Sequence, residues 1–134
     1  MLHHIILHLA RSKQFPDGSP RYGYEITAPL DPRGRLDQVE WADKREYCRV
    51  RRFWADEGER HGILVHRPGG SGGATWMIDY NQDRPGDEEA GYHLHQHRFV
   101  VGEYVTMQDD DGKPHTFQIV SVKVAEPAGP EAQR

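Results

Sequence analysis

Apolar and polar residues alternate along most of this chain, which is the pattern of β-strands that bury one face. In the first segment, for example, Ile5, Leu7 and Leu9 lie on one side, and Ile6 and His8 lie on the other. The segments with this pattern are Met1–Leu9, Arg21–Leu30, Cys48–Trp54, Ile63–Pro68, Ala74–Tyr80, Gly102–Gln108 and His115–Val124. Polar loops and turns separate them, so we expect an antiparallel, partly closed small barrel or curled sheet of about six strands.

The last two segments form the clearest hairpin in the sequence. Residues 109–112 supply the turn, because Asp111-Gly112 is a favoured pair at a hairpin tip. In the last strand Phe117 and Ile119 face one way, whereas the valines from Val120 onward face the other. This change of face predicts either a β-bulge near Ile119 or a strand that is buried on both sides.

One segment favours a helix. Asp37 is a good N-cap, and Glu40 stands three residues later, as in an Asp variant of the capping box. The body Gln38–Tyr47 contains neither Pro nor Gly. We therefore predict one α-helix near residues 38–47 in a fold that is otherwise mainly β. A doubly wound parallel sheet would need helices between its strands.

Length and composition predict a single domain over residues 1–124. The chain has 134 residues, 36% of them hydrophobic, and its mean hydropathy is -0.85, so its core will be modest. The acidic segment Asn81–Gly91 has no periodicity and is predicted to be a loop. Residues 125–134 are predicted to form a disordered tail.

Charge and cysteine content narrow the class of protein. A formal net charge of -4, with nine histidines counted as neutral, argues against nonspecific nucleic-acid binding. The single cysteine, Cys48, excludes an intrachain disulfide, and its apolar neighbours predict a buried thiol. We expect a soluble, cytoplasmic, bacterial protein without a membrane partner, since no secretory leader or run of ~20 apolar residues is evident.

Three histidines at alternate positions, His93, His95 and His97, are the first candidate site. On a strand all three imidazoles point to one side, and imidazole is a common ligand of zinc and other divalent transition metals. The competing interpretation is a solvated strand face, for which no cofactor is expected. If Met1–Leu9 pairs near residues 92–99, the histidines of the first strand would join the same site.

A basic strand is the second candidate site. Arg49 and Arg51 face one way, whereas Arg52 and Trp54 face the other. Guanidinium groups beside aromatic rings are what a groove for single-stranded nucleic acid uses, for phosphate pairing and base stacking. The competing interpretation is that the arginines pair with nearby carboxylates.

The run Gly69–Gly73 matches the G-x-S-x-G pattern of a hydrolase nucleophile elbow. An elbow joins a strand to a helix, whereas a strand pattern follows this run. We therefore interpret Gly69–Gly73 as a flexible loop.

Three segments carry a resemblance to known proteins: Tyr24–Asp37, Cys48–Trp54 and Phe99–Val122. Together they resemble a family of small proteobacterial proteins, and this resemblance implies no activity. The closing motif F-x-x-G-E-x-V, followed by a turn and F-x-I-V-x-V, is similar to the strand entries of PUA/ASCH and SH3-like small barrels. Several of those barrels bind RNA, but this second resemblance supports the small-barrel fold more than it supports a function.

Taken together, these observations favour a small binding or interaction module without catalysis, for a ligand or protein partner that the sequence does not identify. The first alternative is a metal-dependent enzyme or metal-binding protein that uses His93, His95 and His97. The second alternative is a small-barrel nucleic-acid binder that uses the strand Arg49–Trp54.

Overall fold

The structure is a computed structural model that describes residues 1–66, 76–80, 88–91, 98–108 and 113–125. Its strands are β1 (Leu2–Leu9), β2 (Ser19–Pro29), β3 (Arg49–Trp54), β4 (Gly58–His66), β5 (Trp76–Asp79), β6 (Glu88–Gly91), β7 (Tyr104–Gln108) and β8 (Pro114–Val124). Two short helices lie between β2 and β3, namely α1 (Gln38–Asp43) and a 3-10 helix (Arg45–Tyr47).

Each strand pairs antiparallel with the next strand along the chain, and β8 returns to pair with β1, so the sheet closes on itself. Ile5 on β1, for example, lies between Ile26 on β2 and Val122 on β8. Within the described residues, Gly91 of β6 lies opposite Met107 of β7. The prediction of a mainly β, antiparallel, curled fold with one α-helix is confirmed.

The described chain has eight strands against the predicted six or so. Seven of them overlap a segment with the strand pattern; the eighth, β6, lies in Asn81–Gly91, so the prediction of a loop there is wrong for Glu88–Gly91. Pairing with β5 makes this segment a strand: Glu88 lies opposite Asp79, and Gly91 lies opposite Trp76. A strand of four residues is too short for alternation to be recognised in the sequence.

The predicted helix over residues 38–47 is interrupted. α1 ends at Asp43, because Lys44 has a φ of -126°, outside the helical range, and the 3-10 helix follows. Asp37 is the N-cap, and its carboxylate accepts the Glu40 N–H at 3.1 Å. The capping box is not completed, since the Glu40 carboxylate accepts instead from Lys44 Nζ at 3.0 Å and from the amino group of Met1.

Alternate residues of the strands form a single core inside the curled sheet. Its members include Ile5, Tyr24, Val50, Leu64, Ile78, Val105 and Phe117. Trp41 of α1 packs on this core, and its indole N–H donates to the Leu64 carbonyl at 2.9 Å. This anchored indole holds α1 over the end of the barrel where β4 ends and β5 begins.

β8 contains the predicted bulge. Ile119 pairs with Leu7 of β1 and Ser121 pairs with Ile6, so Val120 is the extra residue. The bulge moves the inward face from Ile119 to Val122, which packs against the core, and leaves Val120 39% exposed. Of the two explanations predicted for the change of face, the bulge is the correct one.

Some predictions concern residues outside the described ranges, namely the hairpin turn 109–112, the loop Gly69–Gly73 and the tail from residue 126. Ala125, the first residue of the predicted tail, is described, and its N–H donates to the Leu2 carbonyl at 2.9 Å. None of the helices in the described part of the chain has the length and apolar character that a membrane crossing requires.

Candidate functional site

The histidine run His93, His95 and His97 lies outside the described residues, so the metal-site hypothesis stays a prediction. Within the described ranges, no group of three or more His, Cys, Asp or Glu side chains could hold a metal ion. In the described chain β1 pairs with β2 and β8, and residues 92–97, which carry the three histidines, are not described. Elemental analysis of untagged protein purified without chelator tests the hypothesis, which requires stoichiometric metal.

The outer face of β3 carries Arg49 and Arg51. Arg51 donates from Nε and Nη2 to one oxygen of Glu25, at 3.1 and 2.7 Å, and from Nη1 to Glu59 at 2.8 Å. The hydrogen bonds to Glu25 raise the pKa of Arg51 above its ordinary value. The Arg51 guanidinium is therefore paired with carboxylates, as the competing interpretation predicts, whereas Arg49 is exposed.

The inner face of β3 carries Arg52 and Trp54. Arg52 is 5% exposed, and its guanidinium lies 4.1 Å from the centroid of the Trp54 ring, as in a cation–π contact. Its register partner on β4, Arg60, lies 4.2 Å from the ring centroid of Tyr80. The four candidate residues of β3 are thus divided between two faces of the sheet, as the alternation of side chains predicts: Arg49 and Arg51 on the outer face, Arg52 and Trp54 on the inner face.

Trp54 belongs to a row of rings at the end of the barrel where β1 and β3 end and β2 and β8 begin. We call this row the aromatic end; it consists of Phe15, Tyr22, Trp54 and His115. Neighbouring ring centroids along the row are 5.1, 5.0 and 5.6 Å apart. All four side chains are half-buried, so each ring keeps part of its surface in contact with solvent.

The loop after β1 holds Phe15 in the row. The Ser12 N–H and the Gly18 N–H each donate to the Phe15 carbonyl at 2.9 Å, and Ser12 Oγ accepts the Phe15 N–H at 3.1 Å. The Ala10 N–H donates to the Thr116 carbonyl of β8 at 3.0 Å, which fixes the start of the loop. These hydrogen bonds order the loop before any ligand arrives, which lowers the entropic cost of binding.

The aromatic end borders a cavity of about 520 Å³. Its polar lining includes the basic residues Arg11 and Lys13 and the carboxylate of Asp56. Asp56 accepts the Tyr22 hydroxyl at 3.1 Å; desolvation and this hydrogen bond raise the pKa of Tyr22, which keeps the phenol protonated. A cavity of this size, in which aromatic rings alternate with many polar side chains, is large enough for a small polar ligand.

A second concave region, the helix-side groove, lies between α1 and the outer face of β4 and measures about 760 Å³. Its apolar lining includes Val39, Ala42, Ile63 and Val65, and its charged lining includes Asp43, Arg45 and Asp79. Trp41 and His66 also line it, with ring centroids 5.8 Å apart, and burial lowers the pKa of His66.

Cys48 has the properties of a core residue and not of a nucleophile. It is 0% exposed, and its thiol donates to the Lys44 carbonyl at 3.3 Å. Burial raises the pKa of Cys48 to about 11, so the thiolate is scarce at neutral pH. The prediction of a buried thiol is confirmed.

Sequence reasoning identified Trp54 but missed Phe15, Tyr22 and His115 as neighbours in a candidate site. Phe15 lies in a loop, and the other two residues belong to strands that are far apart in the chain. One signal could have found Tyr22: it lies near the start of β2 and Trp54 ends β3, and antiparallel pairing of these strands places the two residues opposite each other. The position of His115 depends on barrel closure, which leaves no local trace in the sequence.

No protein-family model matches this chain, and comparisons with curated proteins and with solved structures give no significant match. The resemblance to a proteobacterial family, and that of the closing hairpin to PUA/ASCH and SH3-like barrels, therefore stay predictions.

Proposed function

We propose that this protein is a small binding module without catalysis, and that its site is the aromatic end. The observation that carries the proposal is the row of rings from Phe15 through Tyr22 and Trp54 to His115, bordering a cavity of about 520 Å³. Neighbouring rings are tilted by 55–89° to one another, so a flat ligand stacks on one ring of the row, and such stacking of a base contributes about 1–3 kcal/mol. The cytoplasmic location expected from the sequence is part of the same proposal.

The charged residues of the cavity favour an anionic ligand. Arg11 and Lys13 provide two positive charges against the single carboxylate of Asp56, which already accepts the Tyr22 hydroxyl. Both basic side chains are exposed, so they are accessible to an anion at the opening of the cavity. The ligand class proposed here is therefore a flat ring that carries a phosphate or carboxylate group.

Adenosine 5′-monophosphate is a suitable probe, because it joins a flat base to a phosphate. Added to ¹⁵N-labelled protein at low ionic strength, it is expected to shift the amide signals of Phe15 and Tyr22 and the indole signal of Trp54 in a saturable manner. Adenosine lacks the charge and inorganic phosphate lacks the ring, so both should bind more weakly. No saturable shift up to about 10 mM nucleotide would contradict the proposal.

Two charge-reversal variants test whether the nucleotide binds at the aromatic end or on the outer face of β3. Lys13→Glu changes an exposed residue of the cavity, and Arg49→Glu makes the same change on the outer face of β3. We expect Lys13→Glu to weaken nucleotide binding about three- to ten-fold, as the loss and reversal of one partly screened charge would do. Arg49→Glu should leave binding unchanged, and equal effects of the two variants would contradict the assignment.

A short single-stranded oligonucleotide serves as the comparison for the nucleic-acid alternative. If the aromatic end takes up one flat anion, the oligonucleotide should bind no more than a few-fold more tightly than the mononucleotide. Nucleic-acid binding along the basic strand would instead give much tighter binding, a steep dependence on salt, and sensitivity to Arg49→Glu. That result would replace the small-ligand proposal with the nucleic-acid alternative.

A further inference from the structure

β8 extends past its neighbour β7. The register of β8 with β1 continues to Val124, whereas its register with β7 stops at Gln118. Beyond Gln118, the turn before β7 is bonded to the N–H and the carbonyl of Ile119. Among the described residues, no strand pairs with that side of Val120–Val124. We call this segment the open edge.

Backbone groups of two valines point outward from the open edge. The Ala125 N–H donates to the Leu2 carbonyl at 2.9 Å, and alternate residues of an antiparallel strand bond to the same neighbour. Lys123 therefore also bonds to β1, whereas Val122 and Val124 direct their N–H and carbonyl groups away from β1. Within the described ranges, no strand or turn bonds to these four groups. Unpaired groups of this kind form a template for a further strand.

A cavity adjoins the inner face of the open edge. It measures about 440 Å³, and its lining includes Met1, Leu30, Asp31, Pro32, Phe99 and Val122. Asp31, the carboxylate in this lining, already accepts two backbone N–H groups of its own loop. Val124 lies on the same face as Val122 and is 61% exposed. An added strand would therefore meet a mainly apolar surface on this side.

The outer face of the open edge carries a positive charge. Lys123 is exposed there, and its register partner on β1 is His4. Glu25, which lies 3.7 Å from His4, is bonded to Arg51. The loop and the turn that border the cavity add exposed charges at Arg33, Arg35, Arg98 and Glu103. Positive charges thus exceed negative ones around the open edge, and an acidic residue is favoured opposite Lys123.

Charge argues against a second copy of this chain at the open edge. Antiparallel pairing of Val122 in one copy with Val124 in the other would satisfy the backbone groups of both edges. The same register places the two Lys123 side chains directly opposite each other, and like charges at such positions are destabilising. A carboxylate opposite Lys123 would be stabilising instead.

We propose that the open edge is a docking site for an extended peptide segment of a partner protein, which adds a strand beside β8. The segment carries apolar residues opposite Val122 and Val124, because the side chains of directly opposed residues lie on the same face of a sheet. It carries an acidic residue between them, opposite Lys123. Its backbone bonds to the four groups that point away from β1, and its apolar side chains adjoin the cavity of about 440 Å³.

Hydrogen exchange tests whether the edge is open in the free protein. The amide protons of Val122 and Val124 are expected to exchange at least about ten-fold faster than those of Ser121 and Lys123, which bond to β1. Equal protection of the four amides in dilute protein would overturn the proposal, since the edge would then be occupied by the chain itself. Protection of Val122 and Val124 that appears only at high protein concentration would assign the edge to a second copy.

Capped pentapeptides serve as the probe partner. The peptide Thr-Val-Glu-Val-Thr, titrated into ¹⁵N-labelled protein, is expected to shift the amide signals of Val122 and Val124 in a saturable manner and to slow their exchange. The peptide with lysine in place of glutamate should bind about three-fold more weakly. Equal affinities of the two peptides would overturn the proposal, as would the absence of a saturable shift up to about 10 mM peptide.

N-methylation of the peptide separates strand addition from binding through side chains alone. Methylation of both valine nitrogens removes the donors that face β8 and should abolish binding. Methylation of the glutamate nitrogen, which points away from β8, should leave most of the binding intact. Equal losses from the two modifications would overturn the proposal.

A pair of charge-reversal variants assigns the acidic preference to the open edge. Lys123→Glu should reverse the preference, so that the lysine peptide binds more tightly than the glutamate peptide. Arg49→Glu makes a similar change at an exposed position of β3 and should leave the preference as it is. An unchanged preference in Lys123→Glu would overturn the proposal. The aromatic end and the open edge lie at opposite ends of β8, so nucleotide binding and peptide binding fail or hold separately.

Discussion

Glu25 and Arg51 lie opposite each other on β2 and β3, and one carboxylate oxygen accepts two hydrogen bonds from the guanidinium. Glu59 accepts a third bond from Arg51 at 2.8 Å. His4 Nε2 lies 3.7 Å from Glu25, and His61 Nε2 lies 3.4 Å from Glu59. A row of charged and titratable groups thus crosses the outer faces of β1, β2, β3 and β4.

Removal of the central carboxylate from this row should destabilise the fold modestly. Glu25→Gln is expected to lower the free energy of unfolding by about 0.5–1 kcal/mol, because a partly exposed ion pair is lost while Glu59 remains. The loss should shrink at about 1 M salt, where charges on the surface are screened. Urea denaturation at low and high salt measures both values. Glu46→Gln, on the exposed 3-10 helix, is the control, and an equal loss there would contradict the prediction.

Gly23 is required by the close approach of its neighbours. It pairs with His8 and Phe53, and a Cβ at this position would overlap the Leu7 carbonyl oxygen and lie 2.8 Å from the Phe53 ring. Gly23→Ala should therefore lower the free energy of unfolding by about 1–3 kcal/mol, as other overpacked substitutions do. Thermal denaturation monitored by circular dichroism measures this loss.

Gly58→Ala provides the comparison for Gly23. Gly58 has a φ of +78°, but nothing lies within 4 Å of the added Cβ, so only backbone strain opposes the change. We expect a cost of about 1 kcal/mol for that strain. A smaller loss for Gly23→Ala than for Gly58→Ala would show that β1 and Phe53 can move aside.

The single thiol should be unreactive in the folded protein. Cys48 is buried, and its pKa is raised to about 11. Reaction with a chromogenic disulfide reagent near pH 8 should release almost no thiolate within minutes, and one equivalent should appear once urea unfolds the chain. Rapid stoichiometric reaction of the native protein would contradict the burial of Cys48.

Two histidines should make the fold less stable in mild acid. Burial lowers the pKa of His8 and of His66, so these imidazoles bind protons less readily in the folded chain than in the unfolded chain. The contribution of the two neutral histidines to the free energy of unfolding is complete above the ordinary pKa of about 6.5 and is lost as the pH falls below it. The melting temperature of His66→Gln should therefore fall less between about pH 7.5 and 5.5 than that of the wild type. An equal fall in the melting temperatures of His66→Gln and of the wild type would contradict the prediction.

Local periodicity predicted the parts of the fold that have a local cause. Asp37 was recognised as an N-cap because capping depends on residues three positions apart. The bulge at Val120 was recognisable because it reverses the alternation within one strand. The interruption at Lys44 was missed because neither Pro nor Gly marks it, and the strand Glu88–Gly91 was missed because it depends on pairing with β5.

The candidate sites were harder to predict because they depend on contacts between distant segments. Alternation separated Arg51 from Arg52, and the structure places them on opposite faces of β3. Their environments were not predictable: Arg51 meets Glu25 only through the register of β2 against β3. Phe15 reaches Tyr22 because the loop after β1 folds back on itself, which no spacing rule encodes.

The pairing of the last strand with the first has a consequence for how the molecule folds. Phe117–Val124 of β8 lies along His3–Leu9 of β1, so the two strands join segments that are more than 100 positions apart in the chain. Contacts between such distant segments close a long loop, which carries a high entropic cost. Closure of the barrel should therefore be a late step in folding.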